Sequence, residues 1–162
     1  MPTIDSARAY YTGADSIHDF DHILRVLALA ERIGQAEGAD LEIVRAAVLL
    51  HDAAGATPGS GGERAAHHLA SADFAREVLQ AEGWPDDRSE AVLHCIRAHR
   101  FRGTEAPRTL EAQVLFDSDK LDVLGAIGAL RAAGYAALAG QPLTGTPSDL
   151  VPIVYGVDYQ GI

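Results

Sequence analysis

Along most of this chain apolar residues recur every three to four positions, the spacing of a helix with one buried face. In HILRVLALAERI the stripe joins His22, Val26, Leu29 and Ile33, and in LEIVRAAVLLHD it joins Leu41, Val44, Val48 and His51. Both stripes carry a histidine on the face predicted to be buried. The run GATPGSGG, Gly55 to Gly62, cannot continue a helix and reads as a loop. A third helical segment is predicted from about Glu63 to Glu82, and Gly83, Trp84 and Pro85 separate it from a fourth that ends near Arg100. Thr109, with Glu111 two places on, starts a long fifth helix predicted to reach Gly134 or beyond. Its inward stripe is Ala112, Leu115, Val123, Ala126 and Leu130. Alternating β-type runs are absent before the tail, so the predicted fold class is all-α. The predicted organisation is one helical domain over 1–139, with an aperiodic tail, 140–162, packing on it.

Asp119 lies in the middle of the fifth stripe, where an unpaired carboxylate is costly, by several kcal/mol or more as a rough figure. Something cationic should meet it. Three helices thus each direct a potential ligand inward: His22, His51 with Asp52, and Asp119. Two neutral imidazoles and two carboxylates suit a borderline-to-hard divalent ion such as manganese, iron, cobalt, nickel or zinc. Neighbouring helical residues point about 100 degrees apart, so His51 and Asp52 can share one ion only near a helix end, which Gly55 supplies.

Composition narrows the setting. With 162 residues, 48% hydrophobic and 22% charged, the chain can bury one core. Neither a signal peptide nor a run of eighteen apolar residues is present, so no membrane partner and a cytoplasmic location are expected. The single cysteine, Cys95, cannot form an internal disulfide and is expected to pack as a small buried hydrophobe. A net charge of -10 argues against broad attraction to nucleic acid or anionic membrane. Nearly all the positive charge is arginine, Lys120 being the only lysine, and much of it falls in RAHRFRG.

Four motifs in order, HDFDHILRV with His22, VLLHDAAG with His51 and Asp52, LHCIRAHRF with His94 and His99, and FDSDKLDVLGAIGALR with Asp119, resemble the HD-domain metal-dependent phosphohydrolases, specifically their small stand-alone bacterial branch. The resemblance covers roughly residues 17–131. It implies a helical bundle around a divalent ion (Mn, Co, Ni, Fe, Zn or Mg) held by His22, His51, Asp52 and Asp119. It also implies hydrolysis of a phosphate ester or anhydride in a nucleotide or similar small molecule, with Asp52 doubling as acceptor of a water's proton. Two alternatives stay open: an HD-fold diiron oxygenase and a non-catalytic nucleotide-binding regulatory domain.

Around this set, His18 lies one turn before His22 and is an alternative ligand or substrate contact. His67, His68, His94 and His99 are candidates for a second metal or for phosphate, with His68, His94 and His99 taken as substrate-binding and His99 favoured over His94. Glu63, Arg64 and Arg102 can be solvated charge. Arg97 and Arg100 are expected to grip substrate phosphate through guanidinium forks, so that alanine there raises KM more than it lowers kcat. Asp117 is expected to be structural. Oligomerisation is left open.

Overall fold

The computed structural model describes residues 1–11, 20–54, 67–100, 103–138 and 140. Among them are seven α-helices and no strand: α1 Ile4–Arg8, α2 Phe20–Glu37, α3 Leu41–Leu50, α4 His67–Ala81, α5 Asp86–Ala98, α6 Leu110–Leu121 and α7 Gly125–Leu138, with a 3-10 turn at Ala9–Tyr11 after α1. The starts follow local chemistry. Thr3 and Ser6 form a reciprocal capping box on α1, the Asp40 carboxylate accepts from the backbone N–H groups of Glu42 and Ile43 at the start of α3, and Thr109 accepts from the N–H of Ala112 at the start of α6.

α3 lies at the centre. Ile43, Val44 and every residue from Ala46 to Leu50 are buried, and the helix packs against α2, α5 and α6. α4 packs on α5 and, less extensively, on α3. Gly34 lets the end of α2 approach the start of α3, since a Cβ there would meet a Leu41 methyl at 2.9 Å. One hydrophobic cluster runs from Ala7 to Leu115. The N-terminal segment is tied into it by Tyr11 against Phe20 and by Tyr10 edge-on to Phe74 of α4. Cys95 is fully buried in this cluster. No single helix among the described residues is long and apolar enough to cross a membrane.

The long fifth helix is corrected. It is two helices, α6 and α7, with a bend of 75° between them. Asp122 caps α6 through its N–H to the Ser118 carbonyl. Gly125 then takes a left-handed φ of +71°, which turns the chain into α7. A side chain at Gly128 would collide with the Val123 carbonyl, so the bend needs that glycine too. The stripe fails with the helix: Ala112 and Leu115 are fully buried, whereas Val123 and Leu130 are 55% and 73% exposed. The start predicted at Glu63 and the tail beyond Gly140 lie outside the described residues.

Candidate metal centre

Each donor is delivered by the end or the buried face of a helix. His22 sits on the inner face of α2, His51 caps α3, Asp52 follows where the chain turns away, and Asp119 faces inward from the last turn of α6. His22 Nε2 is 3.4 Å from Asp119 Oδ1 and 4.0 Å from Asp52 Oδ2. His51 Nε2 is 3.5 Å from Asp52 Oδ2 and 4.0 Å from Asp119 Oδ1. Two donors each about 2.1 Å from one ion stand at most about 4.2 Å apart, so these spacings fit a shared cation. Direct hydrogen bonding does not account for all of them: His51 Nε2 and Asp52 Oδ1 are buried without a hydrogen-bond partner among the described residues. Buried polar atoms are rarely left so unless something else satisfies them.

The other oxygen of Asp52 faces a second group. Oδ1 is 3.5 Å from His67 Nε2 and 3.7 Å from His99 Nε2, and the His67, His99 and His51 rings meet edge to face. Asp52 thus belongs to two donor sets, one with His22 and His51, to both of which Asp119 is close, and one with His67 and His99.

Far-side contacts turn the rings inward. His51 Nδ1 lies 2.7 Å from the Val48 carbonyl and His99 Nδ1 lies 2.6 Å from that of Ile96. A carbonyl only accepts, so each Nδ1 carries the proton and each Nε2 presents its lone pair. Burial, then the neighbouring His51, pulls the His99 pKa down to about 4, which keeps it a neutral donor. Burial alone would raise Asp52 and Asp119. Nearby imidazoles outweigh it, holding Asp52 at about 2 and, with Lys120, Asp119 well below the carboxylate range. Lys120 donates to Asp119 Oδ2 and to the His99 carbonyl, joining α6 to the end of α5.

Burial lowers the His22 pKa, but hydrogen bonds to Asp119 and Asp122 outweigh it and raise the value to about 8. A proton therefore competes with a metal for His22 below that pH. Apparent metal affinity should rise between pH 6.5 and 8.5 and level off above; affinity that falls with pH in a competition titration would contradict this. In the metal-free protein the sign reverses. A base raised above its unfolded value of about 6.5 contributes stability that is complete below 6.5 and lost as pH rises through 8, about 2 kcal/mol here.

Tyr11 supports the turn from beneath. Its hydroxyl donates to the Leu49 carbonyl at 3.1 Å, one of the last-turn carbonyls that α3 cannot satisfy itself. Burial and the Asp52 charge push its pKa up, so it remains a donor. Tyr11→Phe should cost about 1–2 kcal/mol by chemical denaturation, because the ring stays and only the bond to a buried carbonyl goes.

The remaining candidates fall in different places. His68 is buried beside His67 but outside both donor sets, with Nδ1 unpartnered among the described residues. Its pKa is lowered by burial, then by the charges of His67 and Arg100, which puts Arg100 in its neighbourhood. His94 is turned elsewhere: Nδ1 meets Glu105 at 2.6 Å and Nε2 accepts from the Arg108 N–H. Arg97 is held by Glu90 and Glu105. Asp117 is exposed. His18, Glu63, Arg64 and Arg102 lie outside the described residues. Sequence reasoning missed Asp122, 2.8 Å from His22 Nδ1, although its place one turn after Asp119 was a signal for it. It also did not separate His67 from the other middle histidines.

Comparison with known proteins agrees with this geometry. The sequence profile of the HD domain matches residues 19–124. YpgQ of Bacillus subtilis is 32% identical over 138 residues, 83% of this chain and 64% of YpgQ. Ribonuclease Y of Chloroflexus aurantiacus is 31% identical over 100 residues, 62% of this chain and 17% of that enzyme. The chain therefore spans less than two thirds of either relative. Among solved structures, YpgQ in complex with ADP superposes with a TM-score of 0.69 at 29% identity, covering 98% of this chain and 85% of that one. A predicted HD superfamily hydrolase from an uncultured Thermotogales bacterium gives 0.64 at 28% identity, covering 82% of this chain and 72% of that one. With the match spanning most of the chain and its histidines and aspartates gathered at one centre, the protein belongs to the HD-domain family.

Proposed function

We propose that this protein is a metal-dependent phosphohydrolase that cleaves a phosphate ester or anhydride in a nucleotide or similar small molecule. The observation that carries the proposal is the cluster of His22, His51, Asp52 and Asp119, whose four histidine–aspartate spacings are ones a divalent ion can share. The ADP complex of YpgQ supports a nucleotide as the ligand class. A bound ion would lower the pKa of a water, polarise a phosphoryl oxygen and offset charge developing in the transition state. The chain supplies the rest. Asp52 stays ionised through the neutral range, and its Oδ1 is placed to accept a proton. His67, 3.5 Å from that oxygen and 24% exposed, offers the proton a way toward solvent. Arg100 is the favoured phosphate contact because it stands near His68, beside His67 of the second donor set. Arg100→Ala should raise KM roughly ten- to hundredfold with kcat largely kept, as expected for one lost charge-assisted contact. A cytoplasmic setting goes with this reading, supported by the lone buried cysteine.

The test is a screen of nucleoside mono-, di- and triphosphates and cyclic phosphodiesters for released phosphate or pyrophosphate, with and without added Mn²⁺, Co²⁺ or Mg²⁺. Metal-dependent release that persists without oxygen supports the proposal, and no release from any member contradicts it. A second reading, a diiron oxygenase, is favoured by one observation: the two oxygens of Asp52 face separate donor sets. Two irons per chain by elemental analysis, with turnover only in oxygen, would favour that reading.

A further inference from the structure

We propose that Asp122 selects the metal-binding tautomer of His22, and that it does so by accepting both from Nδ1 and from the Arg131 nitrogen that also reaches Nδ1. The inference rests on the reading of His22 as a metal ligand. His51 and His99 are oriented by backbone carbonyls, which can only accept. At His22 the ring nitrogen away from the donor cluster, Nδ1, meets side chains: Asp122 Oδ2 at 2.8 Å and Arg131 NH1 at 3.0 Å. They make opposite demands on it. A carboxylate needs Nδ1 to donate, which leaves the Nε2 lone pair directed at Asp119 and Asp52, whereas a guanidinium can only donate and would force the ring proton onto Nε2. A neutral ring satisfies one or the other.

The surrounding contacts favour the carboxylate. Asp122 is 6% exposed and takes Arg25 on both oxygens, at 2.7 and 3.2 Å, and Arg131 on Oδ2 at 2.5 Å. The same guanidinium nitrogen that approaches His22 is thus engaged by Asp122, which lies where α6 ends and so takes one arginine from α2 and one from α7. Asp122 is a positioning residue: it touches neither the shared donor space nor a substrate, and acts through His22. Removing its carboxylate leaves Arg131 next to Nδ1 and favours the tautomer that cannot bind a cation through Nε2.

The test compares Asp122→Ala, Arg131→Leu and the double variant with the full wild-type chain. The readouts are Mn²⁺ affinity by titration and the ¹⁵N shifts of the His22 ring in metal-free protein at about pH 9.5, above its raised pKa. Asp122→Ala is expected to weaken Mn²⁺ binding about ten- to hundredfold, the usual range for losing a partner behind a ligand, and to move the His22 proton from Nδ1 to Nε2. Arg131→Leu should keep the wild-type tautomer. The double variant should recover at least about half of the lost affinity on a logarithmic scale, which a merely structural role for Asp122 would not produce. An unchanged tautomer in Asp122→Ala, or a double variant no better than the single, overturns the proposal. If Asp122→Ala does not fold, Asp122→Asn takes its place: its carbonyl can still accept but no longer carries the charge that holds Arg131, so a mixed tautomer and a smaller loss are expected, and wild-type values overturn the idea. Wild-type protein that binds no Mn²⁺ at all would instead defeat the metal reading, while the ring shifts still decide the tautomer.

Discussion

Replacing Asp52 with alanine is expected to lower kcat by at least about a thousandfold and to remove most bound metal. Two losses coincide at this residue. Its Oδ2 stands 3.5 Å from His51 Nε2 and 4.0 Å from His22 Nε2, so the first donor set loses a negatively charged member. Its Oδ1 faces His67 and His99, so the proton acceptor and the link between the two sets go as well. Proton transfer alone typically contributes 10² to 10⁴ in rate, as an order of magnitude, and metal activation is lost with it. The check is kcat at saturating Mn²⁺ beside bound metal per chain. Activity that survives in Asp52→Ala under chelation refutes Asp52 as the centre of the chemistry.

Removing metal from wild-type protein should produce the largest change in stability. In the metal-free state Asp52 and Asp119 are two carboxylates at most 19% exposed, near the same imidazoles, which with Lys120 must then supply the compensation. An ion present at a thousand times its dissociation constant stabilises the native state by about 4 kcal/mol. For a domain of this size each kcal/mol is worth about 2–4 °C, so chelation should lower Tm by roughly 8–16 °C. A melting curve that stays put after elemental analysis confirms metal loss would count against a buried ion at this centre.

Much of the helical pattern was legible because burial and period coincide. His22, His51 and Asp119 each interrupt an otherwise apolar stripe, and the structure brings them together with Asp52 at the end of α3. Misreadings arose where a helix ends or its phase is not set by sequence. The α6–α7 break was hidden because Val123, Ala126 and Leu130 continue the apolar spacing, although they lie outside the core once α6 ends at Leu121 and Gly125 turns the chain. That continuation also masked Asp122, the buried acid one turn beyond Asp119. His67 and His68 differ by about 100 degrees of helical rotation, and a helix that follows a glycine-rich run of sequence gives no sequence signal for which one faces Asp52. His99 reaches the centre because it caps α5, whereas His94 lies a turn earlier and meets Glu105 from a loop whose approach no periodicity encodes.

The central claim is that His22, His51, Asp52 and Asp119 hold one divalent ion, and its most direct measurement is an anomalous difference map from crystals of the protein grown with Mn²⁺. The expected result is a peak about 2.0–2.3 Å from His22 Nε2, His51 Nε2, Asp52 Oδ2 and Asp119 Oδ1. A map with no peak among these four atoms, or with manganese bound only elsewhere, would contradict it.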